Sequence, residues 1–514
     1  MSTAAARPAA RGRVWHSALT WATGVGATAV VSLAGFFATP LLVRWLGDPA
    51  WGAWTVIGEW LGYLGLSQMA LGPGAMTVFL LRAHTSGDPR ALTAMAKRGL
   101  RLYLAASAAM APLALALVWW APHGMAVGPG LAPALRGAVA IAALGSLALA
   151  PPMLFRSVLE AVQRGYRVHL ALLVQSLLIT GLSLWWVWLR WGLVGIAAAN
   201  LAGMAASAAL WCWWARPWLP AWAATAATPL PGAEIWRQNW PLVLAGFGYQ
   251  INQLTDNTVV ALTLGPAAVA AFALTQSLPL LAGSQLANVG VASWAGLGQL
   301  RARDPHAFAA RIVELAATVL GAATALLATI AVFTPAFVTL WVGAPHYAGP
   351  LLVWATAAGM AVFSMLVFFR WLYDSQGDAR RRLGVSSLGA ALNLALSLAL
   401  VRFWGVAGVA LGTLFAYLLT DAWFLPYLAV RLYGVSGPRL ARALLGALAR
   451  GGLWAALMGL LATRLPRAGS WQLLLAELAA TGLAALAYCW FGVLRPADRE
   501  VWQARWRALR GRTA

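Results

Sequence analysis

Two carboxylates stand inside long apolar runs of this 514-residue chain: Glu59 in the stretch 51–81 and Asp256 in the stretch 239–263. An ionisable group in such a run is costly unless water, a counterion or a function keeps it there. Asp256 is accompanied by Tyr249, Gln253 and Asn257, at three- and four-residue spacings that gather polar groups on one helical face. The following run carries Ser277, Ser284 and Asn288 on one face, with Gln276 and Gln285 beside it. Hydroxyls and amides donate and accept, so they suit sugar hydroxyls. They serve equally well to cross-link helices. Asp421 and Glu477 are two further carboxylates in apolar surroundings. Arg156 is followed four residues on by Glu160, and Arg370 by Asp374. At that spacing each pair can close as an ion pair on one helical face, or the arginines can open as forks for a phosphate group.

The elements that hold these groups follow from composition. Hydrophobic residues make up 61% of the chain and charged residues 10%, against about 25% charged in ordinary soluble proteins. Crossing a hydrocarbon layer takes about 20 apolar residues in a row. Apolar stretches bounded by charge or by Gly/Pro turns give fourteen candidate spans, at about 17–43, 51–81, 99–121, 134–156, 168–190, 192–215, 239–263, 267–299, 312–341, 351–373, 383–401, 404–430, 451–463 and 470–493. The expected fold class is therefore an all-α polytopic membrane protein of about 14 transmembrane helices. Glu59 and Asp256 fall seven or eight residues below the outer ends of their spans, so they share a depth of roughly 10–12 Å.

The basic residues test this count. With a cytoplasmic amino terminus, 30 of the 36 Lys and Arg residues fall on the inside; Arg44, Arg136, Arg190, Arg402, Arg464 and Arg467 fall outside. That is the positive-inside pattern, and a missed helix would invert every later loop. Both termini are expected in the cytoplasm. Many of the 30 tryptophans cluster near span ends, as at Trp185–Trp191 and Trp211–Trp222, where interfacial anchoring accounts for them.

The halves resemble each other. The turn Leu46-Gly47-Asp48-Pro49-Ala50 recurs as Leu264-Gly265-Pro266-Ala267-Ala268, 218 residues later. Phe155-Arg156 recurs as Phe369-Arg370 at an offset of 214, and Trp191-Gly192-Leu193-Val194-Gly195-Ile196-Ala197 as Trp404-Gly405-Val406-Ala407-Gly408-Val409-Ala410 at 213. Repeated bundles are a common transporter design. The expected organisation is two six-helix lobes plus two extra helices: an N-lobe over 1–215, a cytoplasmic linker over 216–238, a C-lobe over 239–431, the added pair over 432–494 and a basic cytoplasmic tail over 495–514.

The Leu-Gly turn entering a Trp-Gly-x-Trp helix (Leu46 to Trp54), the following Tyr63-Leu64-Gly65-Leu66, and the stretch from Leu392-Asn393-Leu394 to Ala410 resemble the lipid-linked oligosaccharide flippases. These are the polysaccharide and O-antigen translocases of the multidrug/oligosaccharidyl-lipid/polysaccharide (MOP) exporter superfamily. The chain departs from that pattern at Gln68-Met69-Ala70, where such proteins commonly read Asp-Leu-Gly, and no Arg or Lys is expected deep in a span. The resemblance implies two lobes around a central cavity walled by spans 1, 2, 7 and 8. It implies alternating access, and transfer of an undecaprenyl-diphosphate-linked glycan across the bacterial cytoplasmic (inner) membrane, for surface polysaccharide biosynthesis beside glycosyltransferases and a polymerase. Glu59, Tyr249, Gln253, Asp256, Asn257, Ser277, Ser284 and Asn288 would then face the substrate. Glu59 and Asp256 would couple an ion, and Arg156 and Arg370 would form a diphosphate vestibule.

Other readings stay open: a lipid II flippase, an ion-coupled multidrug antiporter of the same superfamily, or a membrane glycosyltransferase or polymerase. The last needs acid/base or metal-binding residues at the outer surface, and the short outer loops carry no His/Asp/Glu cluster. No GxxxxGK[ST] occurs, so ATP is not the expected energy source. Cys212 and Cys489 sit far apart in apolar runs and indicate neither disulfide nor metal site. The net charge of +22 is spread in short clusters between spans, which speaks for topology and against nucleic acid. Neither a cofactor nor a catalytic residue is expected.

Overall fold

The computed structural model describes residues 6–65, 73–223, 225–226, 255–376, 378–464, 468–494, and 499–500, 503–504 and 507 of the tail. Helices dominate, and no strand occurs among the described residues. Packing divides the chain into two compact units, Met1–Gln250 with Leu264–Ala270, and Ile251–Thr263 with Ala271–Ala514.

The first unit contains α1 (Ala6–Leu46), α2 (Asp48–Leu64), α3 (Pro73–Thr85), α4 (Pro89–Gly124), α5 (Ala132–Ala148), α6 (Met153–Ala161), α7 (Gly165–Trp188) and α8 (Gly192–Ala215). Helix α7 packs on α1 and α8, and α5 on α4 and α8. Pro151 and Pro152 lie at the break between α5 and α6, which are bent by 41°, because proline cannot supply the N–H that would continue the helical ladder. Met76, Leu80, Leu92, Tyr103, Leu154 and Val158 form its buried core. After α8 the chain folds back on this unit: Lys97 Nζ donates to the Thr225 carbonyl at 2.7 Å and lies over the Trp222 ring.

The second unit contains α9 (Asp256–Leu264) and α10 (Pro266–Arg303), apart from Leu264 and Pro266–Ala270, which belong to the first unit, and α11 (Pro305–Trp341), α12 (Pro350–Ser375), α13 (Leu383–Trp404), α14 (Val406–Leu419), α15 (Asp421–Tyr433), α16 (Gly437–Arg464) and α17 (Trp471–Tyr488). The added helices α16 and α17 pack on α11. Gly451 allows this, since a Cβ there would come within 2.7 Å of Thr324 Cβ, and Trp454 Nε1 donates to Thr329 Oγ1 at 2.9 Å.

Among the described residues eleven helices are long and apolar enough to cross a membrane, or twelve if α5 and α6 are one span. The chain is thus a multi-pass membrane protein. Large apolar side chains such as Leu115, Trp188, Phe403, Leu453 and Leu483 stand exposed, as hydrocarbon surroundings demand. The expected fourteen spans differ from this number at two places. Of the stretch 51–81 the described residues belong to α2 and α3, with 66–72 outside the described residues, and of 239–263 only residues 255–263 are described. The short stretch 451–463 belongs to the longer α16, which is 28 residues. Its arginines interrupt the apolar run without interrupting the helix, because Arg is a good helix former.

The repeat has a backbone counterpart. Gly47 and Gly265 take φ of 76° and 88°, and Gly192 and Gly405 take 54° and 55°. Only glycine adopts such angles without a steric penalty, so the same residue makes the same turn between successive helices in both halves.

Candidate functional site

The polar site around Asp256 starts from a helix crossing in the second unit. Gly405 turns α13 back into α14, and Gly408 and Gly412 follow one turn apart on α14. A Cβ on Gly408 would strike the Leu400 carbonyl, and one on Gly412 would come within 2.6 Å of Ser397 N and Oγ. Small residues four apart let helix backbones approach closely in a membrane. The close approach sets Asn393 and Ser397 of α13, each 1% exposed, against Val409 and Thr413 of α14.

Asp256 completes the group from α9. Thr413 Oγ1 lies 3.0 Å from Asp256 Oδ2, 3.0 Å from Asn393 Oδ1 and 3.4 Å from the Val409 carbonyl. Ser397 Oγ lies 3.2 Å from Asn393 Oδ1 and 3.3 Å from the same carbonyl. Each hydroxyl has one hydrogen and the Asn393 amide has two, and its Nδ2 is buried without a hydrogen-bond partner among the described residues. Asp256 Oδ1 is buried, with no hydrogen-bond partner among the described residues. A carboxylate taken from water without full compensation is costly, and a proton or a hard cation bound by oxygens removes the deficit. The arrangement therefore has the chemistry of a cation site with carboxylate, amide, hydroxyl and carbonyl oxygens. Among the described residues no group of three His, Cys, Asp or Glu could hold a metal ion, so one carboxylate and neutral oxygens are the available ligands.

The other expected site residues are distributed differently. Tyr249 and Gln253 lie outside the described residues. Asn257 follows Asp256 on α9. Ser277 Oγ and Ser284 Oγ donate to the carbonyls of Leu274 and Leu281 at 2.8 and 2.7 Å, satisfying their own helix. The Asn288 backbone is in α10, and its side chain lies outside the described residues. Gln276, one residue from Ser277, instead reaches α12, with Nε2 2.9 Å from Thr356 Oγ1. Glu59 is 5% exposed on α2 of the first unit.

The arginine pairs also separate. Arg156 Nε meets Glu160 Oε1 at 2.9 Å, the expected i,i+4 pair, with both side chains about a quarter exposed (27% and 25%). Arg370 does not pair with Asp374. It faces the interior, where its Nη2 meets Asp421 Oδ2 at 2.7 Å and Ser386 Oγ meets Asp421 Oδ1 at 3.1 Å. Asp374 takes Arg382 instead, at 2.9 Å. Helical spacing brings Asp374 within reach, but the buried face of α12 turns Arg370 towards the first turn of α15. Arg370 is thus buried within the last two turns of α12, and its engaged guanidinium is not an open phosphate fork.

Sequence reasoning missed Asn393, Ser397 and Thr413 as site residues. Their signal was present: Asn393 and Ser397 are four apart on one helical face, and Thr413 directly follows the second glycine of Gly408-x-x-x-Gly412.

No protein-family model matches the sequence, and no curated protein does. Solved structures do. Lipid II flippase MurJ in an inward closed conformation aligns with a TM-score of 0.66 at 13% identity, over 92% of this chain and 99% of that one. An inward-facing multidrug resistance MATE family transporter of the MOP superfamily aligns at 0.60 and 14% identity, over 84% and 99%. A MOP superfamily transporter from Pyrococcus furiosus aligns at 0.53 and 16% identity, over 86% and 96%. The chain has the fold of MOP superfamily transporters.

Proposed function

We propose that this protein is a cation-coupled flippase that moves an undecaprenyl-diphosphate-linked oligosaccharide from the cytoplasmic to the outer leaflet of the bacterial inner membrane by alternating access. The observation that carries the coupling is the uncompensated Asp256 Oδ1 beside the acceptor oxygens of Asn393, Thr413 and Val409. A cation or proton that fills this site in one conformation and leaves in another biases the equilibrium between them. Glu59 is proposed as a second coupling carboxylate. Tyr249, Gln253, Asn257, Ser277, Ser284 and Asn288 are proposed to contact the glycan. Of the two vestibule arginines, only Arg156 is partly exposed beside a single carboxylate, and it is the one proposed to meet the diphosphate. Glycosyltransferases and a polymerase would act before and after the flip.

Two observations favour a lipid-linked substrate over a small drug. The added helices α16 and α17 are integral to the second unit through α11. The lipid II flippase alignment extends over 92% of the chain, whereas the MATE alignment covers 84%. The same extent supports lipid II as the second reading. Proteoliposomes loaded with fluorescent undecaprenyl-diphosphate-linked oligosaccharide, lipid II or a cationic dye separate the three. Flipping of the oligosaccharide carrier, driven by a sodium or proton gradient, is the expected result. Export of the dye without flipping of either lipid would reject the proposal.

A further inference from the structure

We propose that the Gly437 end of α16 carries a binding site for the phosphate of an anionic phospholipid, made by Arg439, Arg442 and Arg450. The three guanidinium side chains and Ala443 line an open cavity of about 400 Å³. None of the ion pairs among the described residues involves them. Among the described residues Arg442 Nε reaches only the Pro438 carbonyl, at 3.3 Å, and Arg450 Nε is buried without a hydrogen-bond partner. Three like charges around one cavity repel each other, and a phosphate with several acceptor oxygens turns that repulsion into charge-assisted hydrogen bonds.

Position along the helix points to a lipid as the source of that phosphate. Helix α16 has 28 residues, a length of about 42 Å against a hydrocarbon thickness of about 30 Å. With Arg464 at one interface, the hydrocarbon begins near residue 444, so Arg439 and Arg442 lie in the headgroup layer and Arg450 roughly 9 Å inside it. Positive-inside topology accounts for the first two arginines but not for the third. Arg450 folds back over Gly446, where a Cβ would lie 3.5 Å from its Nη1; this is the direction a buried arginine takes to reach the interface. The backbone at this point is fixed: Tyr488 Oη donates to the Arg450 carbonyl at 2.8 Å, and Gly451 abuts Thr324. Exposed Leu445, Leu448 and Leu453 continue along the same helix and offer apolar surface to acyl chains. On the topology expected from the basic residues, the lipid would belong to the cytoplasmic leaflet.

The test is lipid retention by the full-length protein. The protein is purified in neutral detergent, equilibrated with equimolar phosphatidylglycerol and phosphatidylcholine, and its bound lipid quantified. Wild type should retain phosphatidylglycerol over phosphatidylcholine by about tenfold, the worth of one charge-assisted contact set. Arg442→Gln with Arg450→Gln should bring the ratio near unity, while Arg464→Gln leaves it unchanged. Gly446→Leu keeps every charge and displaces the Arg450 guanidinium, so it should lower the ratio in a protein that still elutes as a folded monodisperse peak. An unchanged ratio in both site variants overturns the site. Displacement of phosphatidylglycerol by inorganic phosphate alone overturns the lipid as its occupant.

Discussion

Asp256→Asn removes the charge of the acceptor cluster and almost none of its shape. The amide oxygen can still accept from Thr413 Oγ1, now 3.0 Å from Asp256 Oδ2, so the folded state should lose no more than about 1 kcal/mol, the net worth of one hydrogen bond. Cation affinity should fall far more. A unit charge about 4 Å from a carboxylate gains about 4 kcal/mol at an effective dielectric constant near 20, or roughly a thousandfold in the dissociation constant. Thermal melts of detergent-purified protein in sodium chloride against choline chloride, and across pH, read this directly. A ligand at about 100 times its Kd stabilises by about 2.7 kcal/mol, and after a thousandfold loss of affinity the same concentration contributes less than about 0.1 kcal/mol. The sodium- or proton-dependent rise in Tm should therefore vanish in Asp256→Asn while the melt without cation stays near wild type. Glu59→Gln, combined with it, should add less than its separate effect on gradient-driven flipping if both act on one step. A wild-type cation-dependent shift in Asp256→Asn would refute the reasoning.

Three further outcomes follow from the packing. Gly412→Ala places a methyl within 2.6 Å of Ser397, so it should cost about 1–3 kcal/mol by overpacking and blunt the cation-dependent Tm shift by parting α13 from α14. Arg370→Gln leaves Asp421 buried without its cation and should destabilise by about 3–5 kcal/mol, lowering membrane abundance together with transport; full abundance with lost transport would make Arg370 a substrate contact after all. Reporter fusions at the carboxyl end and within 82–98, 300–311 and 431–450 should read cytoplasm, and those near 123 and 346 outside; an inside reading at either of the last two positions would break the proposed topology.

Charge was the legible quantity in this sequence. Asp256 and Glu59 stood out because a carboxylate in an apolar run has few inexpensive explanations. Asn393, Ser397 and Thr413 did not, because a hydroxyl in a span commonly bonds its own helix, as Ser277 and Ser284 do. Only the crossing of α13 and α14 distinguishes the two cases, and that crossing rests on glycines whose role appears when the neighbouring backbone is in place. Arg370 failed for a related reason. Sequence spacing orders partners along one helix, whereas the chosen partner, Asp421, lies on another element. The arginines led to fourteen expected spans, where the described residues hold eleven or twelve, and they hid the extent of α16, since Arg450 reads as a loop residue and lies well within the helix.

The internal repeat gives the Asp256 site a further meaning. Subtracting the 213-residue offset carries Gly405, Gly408, Asn393 and Thr413 onto Gly192, Gly195, Thr180 and Asn200. The first half thus keeps the turn glycine and polar side chains at those two helix positions, whereas Ser397 and Gly412 fall on Leu184 and Ala199. Its α7 and α8 are again cross-linked by polar groups, Ser207 Oγ meeting Gln175 Oε1 at 2.7 Å. The 218-residue offset of the preceding turn carries Asp256 onto Ala38, which is 4% exposed in α1. The scaffold of the site is repeated in part and its charge is not. Neutral hydroxyls and amides can satisfy one another, whereas an added carboxylate is costly to bury unless a proton or a cation compensates it. On the proposed function, coupling by Asp256 would then belong to the second unit alone, and Glu59, which has no counterpart within that set, would act from a different position on its own unit.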